Sequence, residues 1–123
     1  MPSSENSNPK EQKLLDMSFD RVYPLYVQKV VRKGRTEAEL LSVIGWLTGY
    51  TAEKVIELTK STLTFSEFFN NARIHPSAGQ IKGTICGVRI ESIEHPTARL
   101  VRILDKLVDE LAKGKPLEKI INR

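Results

Sequence analysis

The sequence predicts a mainly α fold, a compact bundle of about five to six helices around one long helix near residues 96–113. Three observations favour this fold class. Segment 96–113 repeats apolar residues at helical spacing along its whole length, and shorter segments before it do the same. Two of those shorter segments begin with a capping-box pattern, Thr-x-x-Glu. The chain of 123 residues is also 40% hydrophobic and 28% charged, as is typical of one globular domain.

The long helix has one apolar side and one charged side. Its apolar residues are Leu100, Val101, Leu104, Leu107, Val108, Leu111 and Ala112. Its charged residues are Arg99, Arg102, Asp105, Lys106, Asp109 and Lys113. Pro96 suits the first helical position because its φ is already helical, and Gly114 supplies the left-handed residue that ends a helix. The rest of the chain is therefore expected to pack against the apolar side of a rod about 25 Å long.

The N-terminal part of the chain changes character near residue 14. Residues 1–13 are rich in Ser, Asn, Pro and charge, so we expect a disordered tail, followed by one helical domain over residues 14–123. The first helix of that domain contains Pro24, which cannot donate a backbone hydrogen bond. We therefore expect regular helix to begin at or just before Pro24 and to end at Gly34. Its apolar residues are Val22, Tyr23, Tyr26, Val27, Val30 and Val31.

Three further short helices are predicted from their caps. Thr36 and Thr64 each stand three residues before a Glu, so each begins a helix with a capping box. The helix begun by Thr36 is expected to end near Thr48, and Thr51 caps a short helix after it. The helix begun by Thr64 has an apolar stripe that is typical of a core. That stripe is Phe65, Phe68, Phe69 and Ala72.

The segment after these helices is harder to assign. Residues 73–83 contain Pro and Gly without any period and predict a loop. Residues 84–90 fit two patterns, since they alternate as in a half-buried strand and also share a helical face with Ile81. We favour a helix, because a single strand has no clear partner elsewhere in the chain. An α+β fold with a short strand at about 84–90 is the alternative. Pro116 opens a last helical stretch through Ile121.

Composition excludes several classes of protein. No apolar run approaches the ~20 residues that a membrane span needs, and the N-terminus lacks the apolar segment of a secretory signal, so we expect a soluble cytoplasmic protein with no membrane partner. The single cysteine, Cys86, excludes an internal disulfide. His75, His95 and Cys86 are the soft ligands of the chain, which are too few for a zinc site. We predict no metal and no cofactor.

The net charge of +4 and the pI near 9.3 raise the possibility of nucleic-acid binding. The candidate anion or nucleic-acid residues are Lys29, Arg32, Lys33 and Arg35. Residues 36–59 also have the look of a helix-turn-helix motif. Its second helix would bring Glu53 and Glu57 to a polyanion, however, and cations near a helix C-terminus commonly complement the helix dipole. Nucleic-acid binding is therefore a less favoured alternative.

Reactive residue types gather in the least regular part of the chain. The candidate ligand-binding residues are Tyr50, His75, Cys86, Arg89 and Glu91. Arg89 could hold a carboxylate or phosphate, and Glu91 could act as a base if burial raised its pKa. Cys86 with His75 is a conceivable nucleophile pair, although lone cysteines are usually small buried hydrophobes. A small-molecule-binding protein or small enzyme is the second function hypothesis, and whether the chain is an enzyme stays open.

The favoured function is a protein-interaction module or a homo-oligomer, so the partner is another protein or a second copy of the chain. The reason is the long helix, which is apolar over about half its circumference. Ile103 extends that face beyond what one neighbouring helix covers. An uncovered apolar face indicates a partner.

Six short motifs carry a resemblance to a known family. In order they are M-S-F, V-Y-P-L-Y, K-G-R-T, W-L-T-G-Y, I-C-G-V-R and L-D-K-L-V-D-E-L-A-K-G-K. From about Met17 to the C-terminus the chain resembles the family of small bacterial proteins known as the domain-of-unknown-function family numbered twenty-two hundred. The resemblance implies a bacterial, cytoplasmic, single-domain protein and supplies no activity, ligand or catalytic residue. In the family pattern a cysteine commonly precedes the tryptophan, where this chain has Gly45.

Overall fold

The computed structural model describes residues 9–122 and has a mainly α fold, which confirms the predicted fold class. Its α-helices are α1 Pro9–Leu15, α2 Phe19–Arg32, α3 Glu37–Thr48, α4 Ala52–Leu58, α5 Phe65–Asn70, α6 Pro96–Ala112 and α7 Leu117–Ile121. Strands β1 Thr84–Ile85 and β2 Val88–Arg89 form a hairpin, and short 3-10 helices lie at Pro76–Gln80 and Ile90–Ser92. Within residues 9–122, no helix combines the length and apolar content that a membrane crossing requires.

Helix α6 lies at the centre of the molecule. It packs against α1, α2, α3, α5, α7 and the hairpin. Its buried residues are Ala98, Val101, Ile103, Leu104, Leu107, Val108, Leu111 and Ala112. Ile103 is only 2% exposed, so the chain itself covers the residue that was expected to extend an open apolar face. The argument from Ile103 for a second copy of the chain is therefore wrong.

The predicted caps are present and set the ends of the helices. Thr36 and Thr64 each form a complete capping box with the Glu three residues on. Thr51 accepts a hydrogen bond from the backbone N–H of Lys54 and begins α4. Helix α3 ends at Thr48, as predicted, followed by a left-handed glycine. At the start of α6, His95 Nδ1 accepts a hydrogen bond from the N–H of Ala98, so this histidine is a helix cap.

An aromatic cluster joins α2 to α5. Phe19 stacks on Phe68 with ring centroids 4.1 Å apart and meets Phe65 edge-on. Two backbone hydrogen bonds support the contact, from Phe19 N–H to the Leu63 carbonyl and from Phe65 N–H to the Met17 carbonyl. The phenylalanine stripe of α5 is therefore core, as its spacing predicted.

Helix α1 corrects the expected tail. Residues 9–13, predicted to be disordered, form most of a helix, while residues 1–8 lie outside the described residues. The physical reason is that the apolar C-terminal end of this segment packs against α6. Leu15 is 4% exposed and packs in a small cluster with Ile93 and Ala98. Burial of this end offsets the ordering entropy of the polar turn before it.

Helix α2 begins earlier than predicted. It starts at Phe19, with Ser18 at its N-cap position, and passes through Pro24 without a break. Proline removes one helical hydrogen bond, the one that its N–H would give to the carbonyl of Asp20. Burial of Phe19, Val22 and Tyr23 against the core compensates for that single loss. The prediction of a start at or just before Pro24 was wrong because it weighed local propensity without this packing.

Residues 84–90 form an antiparallel hairpin, so the helix that we favoured there was wrong and the strand alternative was closer. Thr84 pairs with Arg89 and Ile85 with Val88. The partner that a strand needs lies in the same segment. Cys86 and Gly87 form the two-residue turn with φ of 53° and 76°, a pair of left-handed residues as type I′ turns require. No helix could continue through them.

Arg35, one of the predicted nucleic-acid residues, holds α3 to the end of α6. Its Nη1 donates to the carbonyl oxygens of Leu111 at 3.2 Å and Lys115 at 2.9 Å. Its Nε and Nη2 donate to the carboxylate of Glu39 at 3.2 and 3.0 Å. These hydrogen bonds, led by the Arg35 side chain, hold the pKa of Glu39 below its usual value. The Arg35 side chain is 14% exposed and has a structural role.

We predict that Arg35→Ala lowers the free energy of unfolding by about 2–3 kcal/mol, because carbonyl groups at the end of α6 and a carboxylate lose a charged donor. The control is Arg32→Ala, which removes an exposed arginine from the same region and is expected to change stability by less than about 0.5 kcal/mol. Urea unfolding of both variants measures the difference. Equal effects of the two substitutions would contradict the assigned role of Arg35.

Candidate functional site

The predicted ligand-binding residues fall into two groups. Tyr50 and His75 lie beside the C-terminal end of α3, whereas Cys86, Arg89 and Glu91 lie in and after the hairpin. In the described part of the chain, no hydrogen bond, ion pair or ring contact joins one group to the other. The five residues therefore stay candidates without a common contact.

His75 and Tyr50 fix the segments around α3. The His75 ring stacks on Trp46 with centroids 4.3 Å apart, and its Nδ1 accepts a hydrogen bond from the N–H of Ser77 at 3.0 Å. The Tyr50 hydroxyl donates to the carbonyl oxygen of Phe68 at 2.7 Å, and burial raises the pKa of Tyr50. The His75 ring joins the segment after α5 to α3, and the Tyr50 hydroxyl joins the turn after α3 to α5, which is the role of half-buried aromatic residues at a core edge.

Gly45 permits a close approach in the same region. A Cβ at this position would lie 2.9 Å from the carbonyl oxygen of Tyr50, closer than Cβ atoms come to a backbone oxygen. Any side chain at residue 45 therefore displaces the turn between α3 and α4. This contact gives a structural meaning to the glycine that stands before Trp46.

The hairpin residues are exposed. Cys86 lies at the turn, and Arg89 is exposed at the end of β2. The Glu91 carboxylate accepts a hydrogen bond from the N–H of Gly83 at 3.1 Å, which lowers the pKa of Glu91. A general base near neutral pH needs the opposite shift, since burial must raise the pKa of the carboxyl group. Glu91 closes the loop that leads into the hairpin.

The four predicted anion-binding residues have different surroundings. Lys29 forms an ion pair with Asp109 at 3.2 Å, and Arg35 is held as described above. Arg32 and Lys33 are exposed at the end of α2, where cations complement the helix dipole. In the helix pair α3 and α4, the first turns of α4 place Glu53 and Glu57 on the surface. This is a poor face for a polyanion.

A surface that we name the α2 outer face was missed by sequence reasoning. It consists of the exposed residues of α2, which are Arg21, Pro24, Leu25, Gln28, Lys29, Val31 and Arg32. At 100° per residue they form a continuous arc of about 160°. Leu25 is 58% exposed and Val31 is 52% exposed, although Val31 was predicted to face the core. The absence of Leu25 from the predicted apolar arc was a signal that could have shown this face.

A buried polar network lies on the other side of α2. The Tyr26 hydroxyl donates to Asp105 Oδ1 at 2.6 Å, and Arg102 Nη1 donates to Asp105 Oδ2 at 3.2 Å. Burial raises the pKa of Asp105 despite both donors, and burial with the nearby carboxylate raises the pKa of Tyr26. The Asp105 side chain is only 18% exposed, so α2 partly covers the charged side of α6 at this residue.

Within residues 9–122, His, Cys, Asp and Glu side chains nowhere gather in a group of three or more that could hold a metal ion. Two open regions of the surface carry both charged and apolar side chains. One region is the α2 outer face, and the other is a cavity between α1, the hairpin and α6.

Comparison with known proteins decides the family. Residues 13–122 match the model of the family described as "Uncharacterized protein conserved in bacteria (DUF2200)". The chain belongs to this family. A solved crystal structure, that of uncharacterized protein SP1917, is similar to it with 41% sequence identity and a TM-score of 0.86. The match covers 94% of this chain and 95% of that chain. Among curated proteins, none matches the chain.

We predict that Tyr26→Phe lowers the free energy of unfolding by about 1–2 kcal/mol at neutral pH and by less near pH 4. The lost hydrogen bond favours the ionised Asp105, so its removal raises the carboxyl pKa further. The penalty is then greatest where Asp105 must be charged and falls once the group is protonated. Tyr50→Phe is the matched control, because its hydroxyl donates to an uncharged carbonyl. Urea unfolding at both pH values is the measurement, and an equal pH dependence of the two variants would be evidence against a charged Asp105.

Cys86→Asn is expected to preserve the fold and to raise the free energy of unfolding by about 0.5 kcal/mol or more. Asparagine tolerates a left-handed conformation better than cysteine, and Asn-Gly is the preferred pair in type I′ turns. Thr84→Asn, a change at an exposed strand position of the same hairpin, is the control and is expected to destabilise slightly. Thermal unfolding of both variants decides the matter, and a loss of stability in Cys86→Asn would indicate that the thiol has a contact of its own.

Proposed function

We propose that this chain is a protein-interaction module that binds an acidic amphipathic helical segment of another protein on the α2 outer face. One observation carries the proposal. Two large apolar side chains, Leu25 and Val31, are more than half exposed on a helix face whose charged residues are all cationic.

The apolar part of the face argues for a macromolecular partner. Among the described residues, the exposed large hydrophobic side chains are Met17, Leu25 and Val31, and two of these three belong to α2. Single exposed apolar residues are ordinary, but Leu25 and Val31 belong to one exposed helix face, where at 100° per residue they lie about 120° apart toward its two edges. Full burial of each against a partner would contribute about 1.5–3 kcal/mol. A partner helix that crosses this face would contact both side chains through its own apolar residues at i, i+3 and i+4 spacing.

The charged residues of the face favour a partner with negative charge. Arg21 and Arg32 lie in the arc, and Lys33 follows it directly. Lys29 is shared with Asp109, and no carboxylate side chain is exposed on α2. The helix dipole accounts for the cations in the last turn of α2, but it does not account for the exposed side chains of Leu25 and Val31. Acidic residues beside the apolar strip of a partner would therefore be attracted to this face.

Self-association through the same face is disfavoured by its charge. A two-fold interface places a patch against its own copy, so the cations of the α2 outer face would meet cations. Like charges opposed across an interface cost several kcal/mol in total. We therefore prefer a second kind of protein over a second copy of this chain.

Nucleic acid uses only part of the face. Phosphate contacts require cations, and Arg21, Arg32 and Lys33 could supply them. Leu25 and Val31 have no role in such contacts, and the acidic surface of α4 adds repulsion. A bound nucleic acid would therefore contact the cations of this face and leave Leu25 and Val31 exposed to solvent.

The test measures binding of a synthetic helical peptide that carries leucines along one face and glutamates on both flanks of that face. Fluorescence anisotropy at low and physiological salt is the measurement. We expect a dissociation constant in the micromolar range for the intact protein and at least a tenfold weaker one for Leu25→Glu. A peptide with lysine in place of glutamate is expected to bind weakly or not at all.

Ala38→Glu is the matched control, because it places the same acid at an exposed position on α3. It is expected to leave peptide binding unchanged. Random duplex DNA and phosphatidylglycerol vesicles are the competing ligands. Tighter binding of either one, equal peptide binding by Leu25→Glu, or a dimer that Leu25→Glu dissociates in sedimentation would overturn the proposal.

A further inference from the structure

A cavity of about 140 Å³ lies between α1, the hairpin and α6, on a different part of the molecule from the α2 outer face. Leu14 of α1, Val88 of β2 and Ile93 before α6 supply apolar walls, and Ala98 completes them. Lys10, Glu11 and Arg102 also line the cavity. The site is therefore mainly apolar, with a few charged groups that could orient a ligand, as binding pockets commonly are.

The size of the cavity limits what it can hold. An apolar cavity of about 150 Å³ accommodates a benzene molecule. The present cavity is of similar volume, so it can enclose a molecule with about six to nine non-hydrogen atoms. Its apolar walls favour a hydrocarbon part in that molecule.

Arg102 gives the cavity a fixed polar group. Its Nη1 donates to Asp105, and Asp105 is held in turn by the hydroxyl of the buried Tyr26. No other acceptor for the Arg102 guanidinium is found among the described residues. Arginine carries five N–H donors, so the Arg102 guanidinium retains donors for a ligand. Its hydrogen bond to Asp105 holds it in position.

The charges around Arg102 favour an anion. Arg99 lies one helical turn earlier on α6, and its buried Nε has no hydrogen-bond partner in residues 9–122. The first turn of α6 contains no acid, although acids are the residues that complement a helix N-terminus. Lys10 and Glu11 carry opposite charges at the wall formed by α1. The positive charges at the cavity wall are therefore those of Lys10 and Arg102, the N-terminal end of α6 adds to them, and Glu11 is the opposing acid of the wall.

We propose that this cavity binds a small monocarboxylate with a short hydrocarbon part, of which hexanoate is a representative. The carboxylate contacts the Arg102 guanidinium, and the chain lies against Leu14, Val88 and Ile93. Arginine is suited to this contact because its planar N–H groups match the two oxygens of a carboxylate. The proposal does not depend on the α2 outer face, so either one can fail without the other.

The experiment uses the full chain and four probes: hexanoate, acetate, 1-hexanol and inorganic phosphate. Hexanoate is expected to bind in titration calorimetry and to raise Tm by about 3–6 °C at tenfold excess over its Kd. Acetate and phosphate lack the chain and 1-hexanol lacks the charge, so each is expected to bind at least about tenfold more weakly. Acetate or phosphate binding as tightly as hexanoate would overturn the proposal and indicate a general anion site.

Substitutions at the cavity wall test whether hexanoate binds in this cavity. Arg102→Gln is expected to weaken hexanoate at least about tenfold and to leave 1-hexanol unchanged. Leu14→Phe fills part of the cavity without touching the pair of Arg102 and Asp105, so it is expected to weaken both probes. Lys82→Gln, an exposed change before the hairpin, is the control and is expected to have no effect. Unchanged hexanoate binding in Leu14→Phe would exclude this cavity even if Arg102→Gln failed to fold.

Discussion

Burial of α6 on nearly every side is the constraint on which the rest of the structure depends. A helix with one apolar stripe needs one covered side, but α6 is contacted by five other helices and the hairpin. Its charged side is consequently also partly enclosed, and each acid there needs a partner from a neighbouring element. Asp105 accepts a hydrogen bond from the hydroxyl of Tyr26, and Asp109 forms an ion pair with Lys29. Both partners belong to α2, which is thereby fixed with one face inward and the other in solvent.

The two ends of α6 are held by different chemistry, and this difference separates the two proposed sites. At the C-terminal end, Arg35 donates hydrogen bonds to the carbonyl oxygens of Leu111, in the last turn of α6, and of Lys115, just beyond that helix. At the N-terminal end, His95 caps one N–H, while Arg99 and Arg102 follow without a compensating acid in the first turn. The C-terminal end is thus satisfied within the chain. The N-terminal end retains positive potential beside a cavity.

Sequence reasoning succeeded where structure is decided locally and failed where distant contacts decide it. The boxes begun by Thr36 and Thr64 involve residues three apart, so they could be predicted. The course of α2 through Pro24 and the burial of Asp105 depend on packing between elements far apart in the sequence, which no local pattern contains. The candidate sites show the same limit. Reactive residue types could be found in the sequence, but only the fold shows that none of the five candidates lines the cavity beside Arg102.

The hairpin turn gives the molecule one chemical attachment point. Cys86 is the single cysteine of the chain. It is exposed at the tip of the hairpin, in a tight turn whose backbone conformation is set by the pairing of the two strands. A fluorophore or spin label can therefore be attached at one defined position, two residues from a wall of the cavity at Val88. The same exposure allows two copies to become linked through their thiols in air. Such a linked pair forms tip to tip, so reducing agent distinguishes it from any assembly built on helix faces.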